Sequence, residues 1–199
     1  PLLLNEFLWS FGETMFQFIY SHIGTSEMAA MTMTGPLQGM TVGLFKGISV
    51  AASVMVGNKL GGDDYEGAYK LSCKLMKISI VGSLFIGGVL AALSGVYVSF
   101  FNVDSHTSET TIKLICIFAG FLFIKVSNMV LSGGIIRSGG KTTYSLMLDI
   151  LGTWVVGMPL GFISAFVFNL PIEGVYTLIT IEEAVRLTVG FIIFKRRKW

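Results

Sequence analysis

Six predominantly apolar stretches follow one another along this chain, at 2–20, 26–58, 66–101, 108–137, 143–168 and 173–195. About 20 helical residues cross a hydrocarbon layer, so each stretch is read as one spanning helix. Several are longer than that and are expected to tilt, kink or protrude. Residues that reverse the chain fall between them: Gly24, Gly61 with Gly62, Asn102 to Asp104, Gly139 with Gly140, and Asn169 to Pro171. The pattern predicts an all-α, polytopic membrane protein built as a six-transmembrane-helix bundle.

Composition agrees with that pattern. Hydrophobic residues make up 53% of the 199 positions and charged residues 13%, about half the share typical of a soluble domain. Mean hydropathy is +0.74. The 24 glycines and 10 methionines suit closely packed, adaptable membrane helices. A net charge of +2 is too small to suggest nucleic acid. Cys73 and Cys116 lie in separate apolar stretches and form neither a disulfide framework nor a metal-ligand pair. The chain opens on Pro1 and enters an apolar stretch at once, so it is expected to be the interior of a longer protein.

The basic residues orient the bundle. Lys59, Lys70, Lys74 and Lys77 follow the second stretch, Arg137 and Lys141 close the fourth, and Lys195, Arg196, Arg197 and Lys198 end the chain. The alternate connections contain no Lys or Arg. By the positive-inside rule both ends of this chain face the cytoplasm. Lys70, Lys74 and Lys77 are explained by lipid headgroup contact.

Several polar residues lie within the apolar stretches. Lys125 is the deepest: the nearest other charges, Lys113 and Arg137, are each twelve positions away. That is roughly 18 Å of helix on either side, close to the middle of the hydrocarbon layer. A lysine there costs at least about 2.5–3.5 kcal/mol, so it is expected to be paired, wetted and functional. Glu6 and Glu13 are seven apart on one helical face, with Trp9 and Gln17 near the same stripe and Asn5 beside Glu6. Gly35, Gly39, Gly43 and Gly47 recur every four residues beside Pro36, a stripe read chiefly as helix packing and secondly as gating. Lys46 is a further deep charge. Asp149 lies about 12 Å inside the fifth stretch, and Pro159 between Gly157 and Gly161 marks a bend. Glu182 and Arg186, four apart, can neutralise each other, which leaves Glu183 in need of another partner.

Three segments carry a resemblance: NEFLW at 5–9, VGNKLGGDD at 56–64 and NMVLSGGIIRSGGK at 128–141. With the DILGTW to MPLG stretch and the basic tail ending in Trp199, they resemble MATE multidrug and toxic-compound extrusion transporters. The resemblance implies twelve helices in two six-helix lobes, of which residues 1–199 form the C-terminal lobe and the N-terminal lobe is missing. It implies a multi-pass cell-membrane antiporter that exports cationic, amphipathic drugs or toxic compounds by alternating access. The exchanged ion is H+ or Na+, with no other cofactor and no metal. Implied partners are membrane lipid, a small cationic substrate and the missing lobe, with no nucleic acid.

In sodium-coupled members of that family, an acid in the tenth helix assists a glutamate in the seventh. Matched on Arg137, the first position falls at Ser127 and the second at Trp9, one turn from Glu6. The expectation is therefore a different cation chemistry, in which Glu6 and Lys125 form the ion-coupling pair. Asn5, Gln17, Gln38, Ser127 and Asn128 would supply hydrogen bonds in the substrate cavity, and Trp9, Phe11, Met33 and Phe123 its adaptable wall. Gly35, Pro36, Gly39, Arg137, Asp149 and Pro159 would be structural or gating positions. A lysine paired structurally within the bundle stays open as an alternative. So do a lipid-linked oligosaccharide flippase, an intramembrane enzyme and a channel. Against an enzyme, there is no HisGlu-x-x-His motif, and Lys125 and Ser127 point in different directions on a helix.

Overall fold

The computed structural model describes residues 2–140 and 142–196, without the side chains of Leu2 and Asn5. Lys141, Arg197, Lys198, Trp199 and the Asn5 side chain, all used in the reading above, lie outside the described residues. Among the described residues there is no strand, and six helical rods follow one another. They are α1 (Leu2–Ile23), α2 (Thr25–Gly61), α3 (Tyr65–Ser99), α4 (Ser105–Ile136), α5 (Thr142–Val167) and α6 (Ile172–Lys195). Each apolar stretch is one rod. α2 to α5 have the length and hydropathy to cross a membrane. α1 and α6, at 22 and 24 residues, are also long enough but carry the charges that form the site below.

The reversals are made by the residues expected to make them. Between α2 and α3 the backbone passes through a left-handed Asp63 (φ 58°). Asp64 then caps α3, accepting from the Gly67 amide at 2.8 Å and pairing with Lys59 at 2.6 Å. Asp104 caps α4 in the same way, accepting from the Thr107 hydroxyl at 2.7 Å and its amide at 3.1 Å. These two bonds hold the Asp104 carboxyl below its ordinary value. α2 continues as helix through Pro36. α4 and α5 are less regular: their turns widen toward i→i+5 spacing over Met129–Ile136, Ile150–Gly157 and Ile163–Val167.

α4 is the central rod and touches α2, α3, α5 and α6. Its buried residues Leu114, Phe118, Leu122, Val126 and Val130 recur every four positions, and Leu131, Ile135 and Ile136 continue the core. Lipid is as apolar as leucine, so these contacts draw on close packing rather than on escape from water. Small residues provide that packing. On α3 the buried stripe is Ser72, Ser79, Ser83, Gly87 and Ser94, and each serine hydroxyl donates to a carbonyl of its own helix. A Cβ on Gly87 would stand 2.8 Å from the Ala119 carbonyl oxygen of α4. One on Gly134 would stand 2.8 Å from the Ser49 carbonyl oxygen of α2.

Among the described residues, Gly35, Gly39, Gly43 and Gly47 pack against no other helix of this chain. A Cβ at any of the four would meet nothing within 4 Å. The stripe lies on an open face of α2, while the close approaches fall at Gly87 and Gly134.

Two stability predictions follow from these contacts. Gly87→Leu should destabilise the detergent-solubilised protein by about 1–3 kcal/mol or more through overpacking, whereas Gly39→Leu should leave thermal unfolding unchanged. Asp104→Ala should lower the unfolding midpoint at neutral pH, while Asp104→Asn, which can still accept from Thr107, should not. Because the folded carboxyl titrates below its unfolded value, the Asp104 contribution is present at neutral pH and is lost as pH falls through the lowered value. The wild-type advantage over Asp104→Ala should therefore shrink, not grow, on acidification.

Candidate functional site: a charged cluster between two clefts

One turn of α6 carries three buried charges, Glu182, Glu183 and Arg186, exposed by only 7%, 6% and 9%. Nothing in lipid can neutralise them, so each is met from inside the bundle. Arg186 is the hub of one half. Its Nη1 pairs with Asp149 of α5 at 3.3 Å, and its Nη2 donates to Thr153 of α5 at 2.9 Å and to Glu182 at 3.2 Å. Two glycines of α5 open the space. A Cβ on Gly152 would stand 2.6 Å from Arg186 Nε, and one on Gly157 would stand 2.5 Å from Glu182 Oε2.

Glu183 belongs to the other half and faces α4. Asn128 donates to its carboxylate at 2.7 Å and to its main-chain oxygen at 2.6 Å. Lys125 Nζ lies 3.3 Å from the other carboxylate oxygen. The widened turns of α4 and α5 begin at Met129 and Ile150, immediately after Asn128 and Asp149, two of the residues that reach α6. Such turns are frequent where a helix must aim side chains at a functional centre.

Two clefts meet at this cluster. The first, with about 740 Å³ of empty space, is reached by Glu13, Gln17 and Tyr20 of α1, Gly35 and Gln38 of α2, and Tyr176 and Glu182 of α6. Phe16, Phe118 and Phe121 add aromatic wall. The second, about 1050 Å³, is reached by Glu6 and Trp9 of α1, Lys46 of α2, Arg137 of α4, Asp149 of α5 and Arg186 of α6. Lys125 and Glu183 line both. Their chain positions set the first cleft toward the non-basic connections and the second toward the basic ones. The Lys125–Glu183 pair stands where the two adjoin.

The structure places the remaining expected residues as follows. Glu6 does not pair with Lys125: its carboxylate lies 3.3 Å from Arg137 at the far end of the second cleft, because α4 brings the arginine rather than the lysine level with it. Trp9 and Asn128 line the second cleft, and Gln17 and Gln38 the first; Gln38 also donates to Thr34 at 2.8 Å. Met33 lines neither. Its carbonyl accepts from Tyr97 of α3 at 2.8 Å and its sulfur meets Thr111 of α4. Ser127 also lines neither, being turned back to the Phe123 carbonyl of its own helix at 2.6 Å. Phe11 stacks on Trp154. Pro159 is exposed on α5, two residues beyond the widened segment that ends at Gly157.

Other residues of the site were passed over. Tyr176, Ile179, Thr180 and Glu183 recur at i, i+3, i+4 and i+7, so a single stripe of α6 faces the clefts. That spacing was available in the sequence. Glu13, read in the sequence only as sharing a helical face with Glu6, stands in the first cleft with Lys125 and Glu183.

The comparisons with known proteins agree with this architecture. The MatE family model matches residues 1–163. Multidrug and toxin extrusion protein 1 of Homo sapiens is 28% identical over 180 residues, covering 88% of this chain and 31% of its own length. The chain thus spans about a third of the length of the curated relatives it matches. Among solved structures, a MOP superfamily transporter from Pyrococcus furiosus, described as having a binding pocket of reverse polarity, superposes with a TM-score of 0.90 at 18% identity. It covers 100% of this chain and 44% of that one. A MATE in complex with MaD3S superposes with a TM-score of 0.91 at 18% identity, over 100% of this chain and 45% of that one. The likeness to the solved structures is one of fold, and the family match covers most of the chain: it belongs to the MatE family.

Proposed function

We propose that this chain is one lobe of a transporter that exports cationic, amphipathic organic compounds in exchange for protons or sodium ions. The observation that carries the reading is the first cleft. Three carboxylates, Glu13, Glu182 and Glu183, face one ammonium, Lys125, among aromatic walls. Acidic groups set beside aromatic faces suit an organic cation, which the rings attract and the carboxylates neutralise. The name the relatives carry, multidrug and toxin extrusion protein, supports the same reading.

The lobe assignment is part of the proposal. Coverage just under half of the matched solved chains supports residues 1–199 as the C-terminal lobe, with the N-terminal lobe preceding it. Both ends of this chain then face the cytoplasm across the cell membrane, and alternating access moves the clefts relative to the other lobe. The coupling role expected of Glu6 with Lys125 is reassigned: Lys125 keeps it, Glu13 and Glu183 are its acids, and Glu6 is engaged by Arg137. Protonation or cation binding at Glu13 would change the charge facing the substrate, which is what coupling requires.

The full-length protein in proteoliposomes should release a fluorescent cationic dye only when a proton or sodium gradient is imposed. Glu13→Gln should reduce that gradient-driven flux at least tenfold while leaving the protein monodisperse. Flux independent of any gradient points to a channel, and no dye flux at all refutes export of organic cations. Full activity in Glu13→Gln removes this carboxylate from coupling.

A further inference from the structure

We propose that Lys125 is a resident, tethered ammonium that holds the place an ammonium group of the transported compound takes on Glu183, and that its displacement joins the first cleft to the second. The proposal rests on the export reading above. Two observations carry it.

The first is an asymmetry within the pair. Glu183 is fixed: its side chain is 8% exposed, and Asn128 holds both one carboxylate oxygen and its main-chain carbonyl. Lys125 is 37% exposed on a flexible stem, and Glu183 is its ion-pair partner among the described residues. The lysine is the partner able to leave. The second is location. Lys125 and Glu183 are walls of both clefts, so a cation that takes Glu183 from the first side pushes the lysine toward the second. There the acids Glu6 and Asp149 already meet Arg137 and Arg186. A displaced Lys125 finds its neighbours' charges taken and returns to Glu183 when the guest leaves. Occupancy of one cleft is thereby tied to the seal of the other.

The test is chemical rescue in the full-length protein. Lys125→Ala removes four side-chain heavy atoms, and n-propylammonium supplies the same three carbons and nitrogen. Lys125→Ala should bind n-propylammonium at least tenfold more tightly than wild type by calorimetry, and Lys125→Ala/Glu183→Gln should lose that gain. Vesicles carrying Lys125→Ala should leak protons faster than wild type, and n-propylammonium should restore the seal. Equal affinity in wild type and Lys125→Ala overturns the proposal. If the unpaired Glu183 keeps Lys125→Ala from folding, wild type itself decides. A saturating exported dye should raise reductive methylation of Lys125, read by mass spectrometry, at least threefold, and unchanged or reduced methylation overturns the proposal. The two readings fail separately. Normal dye export with equal n-propylammonium affinity removes the displacement alone, whereas absent dye export with the predicted rescue removes the transport reading and leaves the ammonium place intact.

Discussion

Glu182, Glu183 and Arg186 occupy little more than one turn of α6, and a bilayer offers them no water. That constraint organises the lobe. Arg186 must draw an acid from α5, Glu183 must draw a base and an amide from α4, and Glu182 closes onto Arg186. Removing one partner from a buried pair costs about 3–5 kcal/mol, because the charge left behind is uncompensated. Serine and glycine seams bring the rods together, but the charge cluster fixes their rotation and register. Asn128 and Asp149 reach α6 only with α4 and α5 rotated as they are. Gly152 and Gly157 of α5 are small because Arg186 and Glu182 occupy the space beside them.

The same constraint explains why the clefts are where they are. A buried ion cluster separates the aromatic, acid-rich cleft from the more basic one, and the two share the Lys125–Glu183 pair. Apolar side chains alone would pack this region shut and leave no polar place for a guest. The cluster therefore holds the bundle together and also forms the boundary that a transported compound meets.

Much of the fold was legible in the sequence because membrane helices declare themselves by unbroken apolar length. All six rods and their connections follow from that and from the turn residues between them. Pairing within one helix was legible too: Glu182 and Arg186 are four apart and do meet. Pairing between helices was not. The need of Glu183 for a partner could be read, but Lys125 lies 58 residues away, and sequence carries no direct record of which faces oppose. Glu6 was assigned to Lys125 because both fell near the positions matched in the resemblance, and Arg137 takes it instead. The α2 glycines show the same limit. A small-residue stripe permits a close neighbour without supplying one, and the seam that is used runs along serines of α3, whose hydroxyls are satisfied by their own helix.

The central claim is that the buried charges of α6 lock α5 and α4 in place, and a double-mutant cycle between Asp149 and Arg186 tests it most directly. Thermal and denaturant unfolding of wild type, Asp149→Asn, Arg186→Gln and the double variant would be compared in one detergent. Each single variant should be clearly less stable than wild type, and the double variant should recover part of the loss, giving a coupling energy of about 1–3 kcal/mol. Strictly additive losses, or single variants as stable as wild type, would contradict the account.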